Sequence, residues 1–247
     1  MYNPFSLENK TILVTGASSG IGKAIAIECS KMGATMIITG RNSERLSETF
    51  SMLENKEHAQ IIADLTDEVQ LKELVEQLSN LNGIVLCAGI DKRLPLKFIN
   101  QDDFNTVMQT NLFAPSILMQ QLLKKKKIEK QSSVVCISSI AACSADMGHA
   151  IYSASKGALN SFARVMALEL ASQKIRVNCI LPGVVDTNML QSGILTEEQF
   201  VEEEKRYPLG RFGQPKDVAF ATVYFLSDAS AWTTGANLII DGGFSLL

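Results

Sequence analysis

The chain is short of the side chains from which metal sites and disulfide frameworks are built. Its five cysteines, at 29, 87, 136, 143 and 179, form no Cys-x-x-Cys pair, and its two histidines stand apart. Zinc-ligand spacings are therefore missing, and no metal site is expected. Most of the cysteines sit in apolar segments, where a thiol behaves as a small buried hydrophobe in a reducing compartment. An apolar run of 18 or more residues is absent, and so is a secretory signal, so a cytoplasmic protein with no membrane span is expected. A net charge of −3 provides no general attraction to nucleic acid or to an anionic membrane. No repeat, low-complexity linker or composition break divides the 247 residues, so one α/β domain over 1–247 is expected.

What is present is an alternation of apolar strand-like runs with helix-like stretches. Strands are expected at 11–15, 35–39, 60–63, 84–87, 134–138, 176–180 and 237–240. Helices are expected at about 21–32, 43–54, 67–79, 101–127, 151–172 and 215–227. Nearly all-apolar strands alternating with helices imply a doubly wound, seven-stranded parallel sheet covered by helices on both faces, a Rossmann fold. The lysine run Lys124–Lys127, with Lys130, closes an amphipathic helix and reads as a solvated helix end, with a docking patch for an acidic partner as the other reading. The acidic stretch 188–207 follows the sixth strand, where ligands bind in such sheets, so it reads as a surface helix or a substrate lid.

Directly after the first strand comes Thr15-Gly-Ala-Ser-Ser-Gly-Ile-Gly22. Glycines at 16, 20 and 22 allow a tight turn and close approach of backbone to a phosphate, and the helix that follows favours negative charge at its N-terminus. Ser18, Ser19 and Ile21 belong to the same turn. The second strand's end bears on the choice of cofactor. An NAD site usually places a carboxylate there, for the ribose 2′-hydroxyl. Residues 35–43 hold neither Asp nor Glu, and Arg41 is placed to contact a 2′-phosphate, so NADP(H) is favoured over NAD(H).

Tyr152 and Lys156 lie four residues apart within an expected helix and so share a face. A phenol ionises near about pH 10, and a fixed ammonium beside it is expected to lower that value. The pair reads as a general acid/base, with Ser139 as hydrogen-bond donor to the reacting oxygen.

These segments, with Asp64-Leu65, Cys87-Ala-Gly89, Asn111, Ser138-Ser139, Pro182–Thr187 and Asp241-Gly-Gly243, make the chain resemble the short-chain dehydrogenase/reductase family over nearly its whole length. Within that family it looks most like the 3-oxoacyl-[acyl-carrier-protein] reductases. The resemblance implies that Asp64 and Leu65 contact the adenine and that Cys87, Ala88 and Gly89 line the cofactor. It implies that Pro182, Gly183, Val185 and Thr187 hold the nicotinamide end, and that Lys156 binds the nicotinamide ribose and lowers the phenol's pKa. Tyr152 would protonate the carbonyl oxygen, Ser139 would orient that carbonyl, and Asn111 would hold a water relaying protons to Lys156.

Two departures stand out. Leu86-Cys-Ala-Gly89 replaces the family's usual Asn-Asn-Ala-Gly, and a thiol cannot reproduce the donors and acceptor of an amide. Lys130 and Gln173 stand where acyl-carrier-protein reductases tend to carry arginines. The function expected is NADPH-dependent reduction of a 3-oxoacyl thioester, with acyl carrier protein as a conceivable partner. The alternatives are oxidation of another secondary alcohol (a steroid, a sugar or a small hydroxy compound) and non-catalytic NADP(H) sensing. A homotetramer formed through the helices at about 101–127 and 151–172 is expected by resemblance.

Overall fold

The computed structural model describes residues 2–54, 57–187 and 202–247. Seven strands form one parallel sheet: β1 (Thr11–Thr15), β2 (Thr35–Gly40), β3 (Ala59–Ile62), β4 (Leu81–Leu86), β5 (Ile128–Ile137), β6 (Arg176–Pro182) and β7 (Asn237–Ile240). Their order is β3-β2-β1-β4-β5-β6-β7. The chain winds outward from β1 in one direction, returns to β4 and winds outward in the other. The carboxyl ends of β1 and β4 therefore flank the point where the winding reverses, which is where open α/β sheets open a crevice for ligands.

The helices are α1 (Gly20–Lys31), α2 (Ser43–Ser51), α3 (Glu68–Gln77), α4 (Gln101–Met108), α5 (Ala114–Lys124), α6 (Ala150–Glu169) and α7 (Pro215–Leu226). Successive strand residues point to opposite faces, and β1 feeds both layers of the core. Leu13 packs with Leu74, Leu118, Val134, Leu159 and Val177 beneath α3, α5 and α6. Ile12 and Val14 pack with Ile25, Met36, Val135, Val218 and Phe225 beneath α1 and α7. Across the inner strands both sheet faces are thus dry, which explains why those strands read as apolar runs rather than as alternating patterns, while the edge strands β3 and β7 are largely exposed.

The structure bears out the doubly wound parallel sheet and shifts several boundaries. The helix expected across 101–127 is divided by a π turn at Gln109–Phe113 into α4 and α5. The turn sets Asn111 inward, and Pro115, which has no N–H to donate, stands in the first turn of α5. β5 starts at Ile128 rather than 134 because Leu81 pairs with Ile128 ahead of a register shift, and β4 starts correspondingly early. On the two helical stretches expected to form a subunit interface, Val107 and Leu159 are core, whereas Phe104, Val165 and Leu168 are exposed. Of the stretch 188–207, residues 188–201 lie outside the described residues. Among the described residues no helix is long and apolar enough to cross a membrane, and no three His, Cys, Asp or Glu side chains cluster as a metal site.

Candidate active site

The glycine turn leaves β1 into α1 with almost no spare space. Gly16 has φ +67°, and a Cβ there would lie 2.8 Å from the Ala88 Cα. Gly22, already in α1, could carry no Cβ either, because one would sit 2.3 Å from the Gly16 carbonyl oxygen. Gly20 has φ +53° and faces Thr187, whose Cγ2 would lie 3.2 Å from an added Cβ. The turn therefore presses on the end of β4 and on the segment after β6 at once. Ser19 precedes α1 without a side-chain cap, so its hydroxyl takes up none of the first amides of the helix.

One hydroxyl fastens this turn to β4. Thr15, buried at the end of β1, donates to the Val85 carbonyl at 3.2 Å and accepts from the Cys87 and Ala88 amides at 3.0 and 3.1 Å. That uses the hydroxyl's donor and both its lone pairs. The position read from sequence as a family asparagine is Cys87, whose thiol is pushed up to about 12 by burial. Strand bracing here thus comes from Thr15 rather than from the side chain at 87.

At the carboxyl end of β2, the structure brings Arg41 and Asp64 together, with Nη1 3.5 Å from Oδ2. Arg41 is well exposed, and only one of its five N–H groups is used in that contact. Burial would raise the Asp64 carboxyl, but hydrogen bonds from the Thr66 amide and hydroxyl, together with Arg41, overcome that and hold it below its ordinary value. Leu65 lies beside Asp64 and packs against the core. Ser18 lies against Gly40, the last residue of β2, where a Cβ would meet the Ser18 Oγ at 2.9 Å.

On the far side, Pro182 and Gly183 are clamped against β7. The Gly183 amide donates to the Ile240 carbonyl at 2.9 Å, and a Cβ on Gly183 would lie 3.0 Å from the Asp241 Cα. Val185 is buried and bridges to Gly213, whose carbonyl accepts from the Asp186 amide at 2.8 Å. These contacts fix 182–187 as one wall of the crevice.

Ser139, Tyr152 and Lys156 converge between β5 and α6. Ser139 follows β5 and is the hydrogen-bond partner of the Tyr152 phenol, and its Oγ also accepts from the Ala141 amide at 3.1 Å. The Lys156 Nζ lies 5.7 Å from the Tyr152 ring centroid and donates to the Ile137 carbonyl at 2.9 Å. Burial dominates both titrations. It lowers Lys156 below its ordinary value and raises Tyr152 to about 12, with the Ser139 hydrogen bond opposing the latter. The phenol therefore moves in the opposite direction to the sequence expectation, because desolvating a phenolate costs more than its neighbours return in the protein alone.

Asn111, on the π turn, closes the back of the site. Its Oδ1 accepts from the Ile90 amide at 2.8 Å, and its Nδ2 donates to the Ile90 carbonyl at 2.9 Å and to the Ser155 Oγ at 3.0 Å. A Cβ on Gly89 would lie 3.2 Å from the Asn111 Oδ1 and 3.4 Å from the Lys156 Nζ, so Gly89 separates the two. Sequence reading did not find Ser155, Thr15 as a strand tie, or the pair His149 and Asp91, whose Nε2 and Oδ2 stand 3.0 Å apart beside Tyr152. A hydroxyl one residue before the lysine and a histidine three before the tyrosine were the available signals.

Three glycines whose side chains would fill the crevice, an uncapped helix start and an arginine at its rim fit a dinucleotide. The residues expected to hold one lie on the segments that leave the carboxyl ends of β1, β2, β3, β4 and β6.

Comparison with known proteins gives a consistent result. The family model described as enoyl-(acyl carrier protein) reductase matches residues 16–245. The chain is 33% identical to the 3-oxoacyl-[acyl-carrier-protein] reductase of Rickettsia bellii, over 98% of this chain and 99% of that protein. It is 34% identical to a 3-oxoacyl-[acyl-carrier-protein] reductase of Bos taurus, over 96% of this chain and 99% of that one. Among solved structures, a candidate 2-deoxy-D-gluconate 3-dehydrogenase of Agrobacterium tumefaciens with bound NADP superposes with a TM-score of 0.90 at 29% identity, covering 100% of both chains.

Proposed function

The chain belongs to the short-chain dehydrogenase/reductase family of nicotinamide-dependent oxidoreductases, and from that premise we propose that it uses NADPH to reduce the ketone of a 3-oxoacyl thioester to an alcohol. The observation that carries this reading is the convergence of Ser139, Tyr152 and buried Lys156.

The dinucleotide, when bound, supplies the hydride. Gly16, Ser18, Ser19, Gly20, Ile21 and Gly22 receive its pyrophosphate, and Arg41 contacts the 2′-phosphate with the N–H groups that Asp64 leaves over. Asp64, Leu65, Cys87, Ala88 and Gly89 line the adenosine side and the groove floor. Pro182, Gly183, Val185 and Thr187 hold the nicotinamide side.

Tyr152 gives its phenolic proton to the carbonyl oxygen. A phenol held protonated by burial is suited to that task, and the Ser139 hydroxyl stabilises the same oxygen as charge develops on it. Lys156, anchored to the Ile137 carbonyl, keeps an ammonium behind the phenol and so favours the phenolate left after transfer. Asn111 holds Ile90 and Ser155 in place, with Gly89 between its amide and the Lys156 ammonium. Lys130 and Gln173, both exposed, replace an arginine pair, so an acyl carrier protein would be held less tightly than by bidentate guanidinium contacts.

The likeness to a sugar-acid dehydrogenase favours a second reading, in which the same groups oxidise a secondary alcohol of a polyol. Exposed Phe104, Phe113, Ile117, Val165 and Leu168 offer an apolar face for assembly into a homotetramer, which a mass measurement in solution tests. The deciding experiment follows the loss of NADPH, and separately of NADH, with an acetoacetyl thioester and with a panel of polyols. We expect NADPH to be consumed in preference to NADH, and Tyr152→Phe to lose about 10²–10⁴-fold in rate. Full turnover in Tyr152→Phe would refute the proton-donor role, and turnover with polyols alone would select the second reading.

A further inference from the structure

The segment 182–187 is tied to its surroundings largely backbone to backbone. The Gly183 amide donates to the Ile240 carbonyl at 2.9 Å, the Gly213 amide to the Val184 carbonyl at 3.0 Å, and the Asp186 amide to the Gly213 carbonyl at 2.8 Å. The Val184 amide differs, because its acceptor is a side chain: the Tyr207 Oη, at 3.4 Å.

Tyr207 is 4% exposed, and its ring touches two glycines. A Cβ on Gly183 would lie 3.5 Å from the Tyr207 Cε1, and one on Gly242 would lie 3.5 Å from its Cδ1. Phe244, in a short 3₁₀ turn after β7, stacks on the ring with centroids 5.0 Å apart and 28° between the planes. Phe212 meets the ring edge-on at 5.1 Å and 79°. The turn that carries Phe244 is itself held, since the Asp241 carboxylate accepts from the Gly243 and Ser245 amides at 2.9 and 2.8 Å. Stacking on one ring and an edge contact with another fix the plane of Tyr207, and with it the direction of the hydroxyl. A phenylalanine would pack in the same place. The hydroxyl instead brings a polar atom into an aromatic cluster, where burial pushes the phenol above its ordinary value.

We propose that Tyr207 is a positioning residue for the nicotinamide end of the dinucleotide: its hydroxyl holds the Val184 amide, and the stack with Phe244 and Phe212 holds the hydroxyl. The inference rests on the reading of 182–187 as the nicotinamide side given above. Val185 and Thr187 follow Val184 directly, so releasing its amide slackens the wall at the residues assigned to that end. Arg41 and Asp64 follow β2 and β3, at the opposite end of the sheet from β6 and β7, so the adenosine end is left as it was.

Tyr207→Phe deletes one oxygen and keeps the stack. The test is a calorimetric titration of the full chain with NADPH and, separately, with adenosine 2′,5′-bisphosphate, which carries the 2′-phosphate but no nicotinamide. We expect Tyr207→Phe to bind NADPH about three- to tenfold more weakly, the worth of one hydrogen bond. Adenosine 2′,5′-bisphosphate is expected to bind within about twofold of wild type. Phe244→Leu thins the stack without touching the hydroxyl, and it is expected to shift NADPH in the same direction by less. Because the stack acts through the hydroxyl, the double variant should bind NADPH within about twofold of Tyr207→Phe. Equal NADPH affinities in wild type and Tyr207→Phe overturn the inference. An equal loss for both ligands also overturns it, since that is what a purely structural role produces.

Amide hydrogen exchange across 182–187 separates this failure from failure of the underlying reading. Without cofactor, exchange at Val184 is expected to be faster in Tyr207→Phe than in wild type. Saturating NADPH is expected to slow exchange across the segment in wild type, and adenosine 2′,5′-bisphosphate to leave it unchanged. If NADPH does not slow it, the placement of the nicotinamide is wrong and the inference falls with it.

Discussion

Replacing Thr15 by valine isolates a single hydroxyl that joins the nucleotide turn to the sheet. Valine has nearly the same volume as threonine and suits a strand equally well, so the loss is confined to three hydrogen bonds. The Val85 carbonyl loses one contact, whereas the Cys87 and Ala88 amides lose the acceptor recorded for each of them at 3.0 and 3.1 Å. The residue is 1% exposed, so water cannot easily substitute. A buried donor left unpaired costs about 1–3 kcal/mol, and two such amides, partly relaxed, give a loss of about 2–3 kcal/mol. For a chain of this size that lowers the melting temperature by about 5–10 °C. Freed amides at 87 and 88 also loosen the backbone against which Gly16 packs, so dinucleotide affinity falls as well. The assay pairs thermal unfolding with a fluorescence titration of NADPH. Thr15→Ser, which keeps the hydroxyl, is expected to bind within about twofold of wild type. A Thr15→Val protein that melts within about 1 °C of wild type and binds NADPH unchanged would refute the reasoning.

Gly22→Ala places a Cβ 2.3 Å from the Gly16 carbonyl oxygen, a backbone atom that cannot swing aside. Forced overpacking of this kind costs about 1–3 kcal/mol, and the variant is expected to lose NADPH binding by titration before it loses its circular dichroism. Asp217 is held below its ordinary value first by its hydrogen bond with Arg211, which reaches both carboxylate oxygens at 2.7 and 3.1 Å. A depressed folded value means stability that is present above the ordinary carboxylate range and lost as pH falls through the folded value. Asp217→Asn should therefore melt lower at neutral pH and show a shallower decline on acidification. Tyr152 has the opposite sign, its phenol being raised from 10.0 to about 12. Its contribution is complete below the unfolded value and disappears between those two limits, so Tyr152→Phe should lose less stability than wild type across that alkaline window when denaturant midpoints are compared.

Much of the fold was legible because it rests on local rules. Runs such as Thr-Ile-Leu-Val-Thr at 11–15 can be buried on both faces, and only a helix-covered parallel sheet buries them so. The boundaries that moved did so for reasons outside any local window. Helix 101–127 breaks where Asn111 turns to the Ile90 backbone, a partner 21 residues away. β5 begins early because Leu81 recruits Ile128 across the sheet.

The strand–helix alternation, the glycine turn at 16, 20 and 22, the missing acid after β2 and the Tyr152–Lys156 spacing could be read along the chain, because each depends on chain stereochemistry or on residues within a few turns of one another. Tertiary structure alone decided how these pieces act on each other. It placed the Thr15 hydroxyl under the Cys87 and Ala88 amides, 72 and 73 residues away. It set Asp91 and Asp146 on either side of the His149 ring. It also reversed the expected shift of the Tyr152 phenol, because burial depends on what the whole chain packs around a group, and the spacing of two residues on a helix holds no record of it.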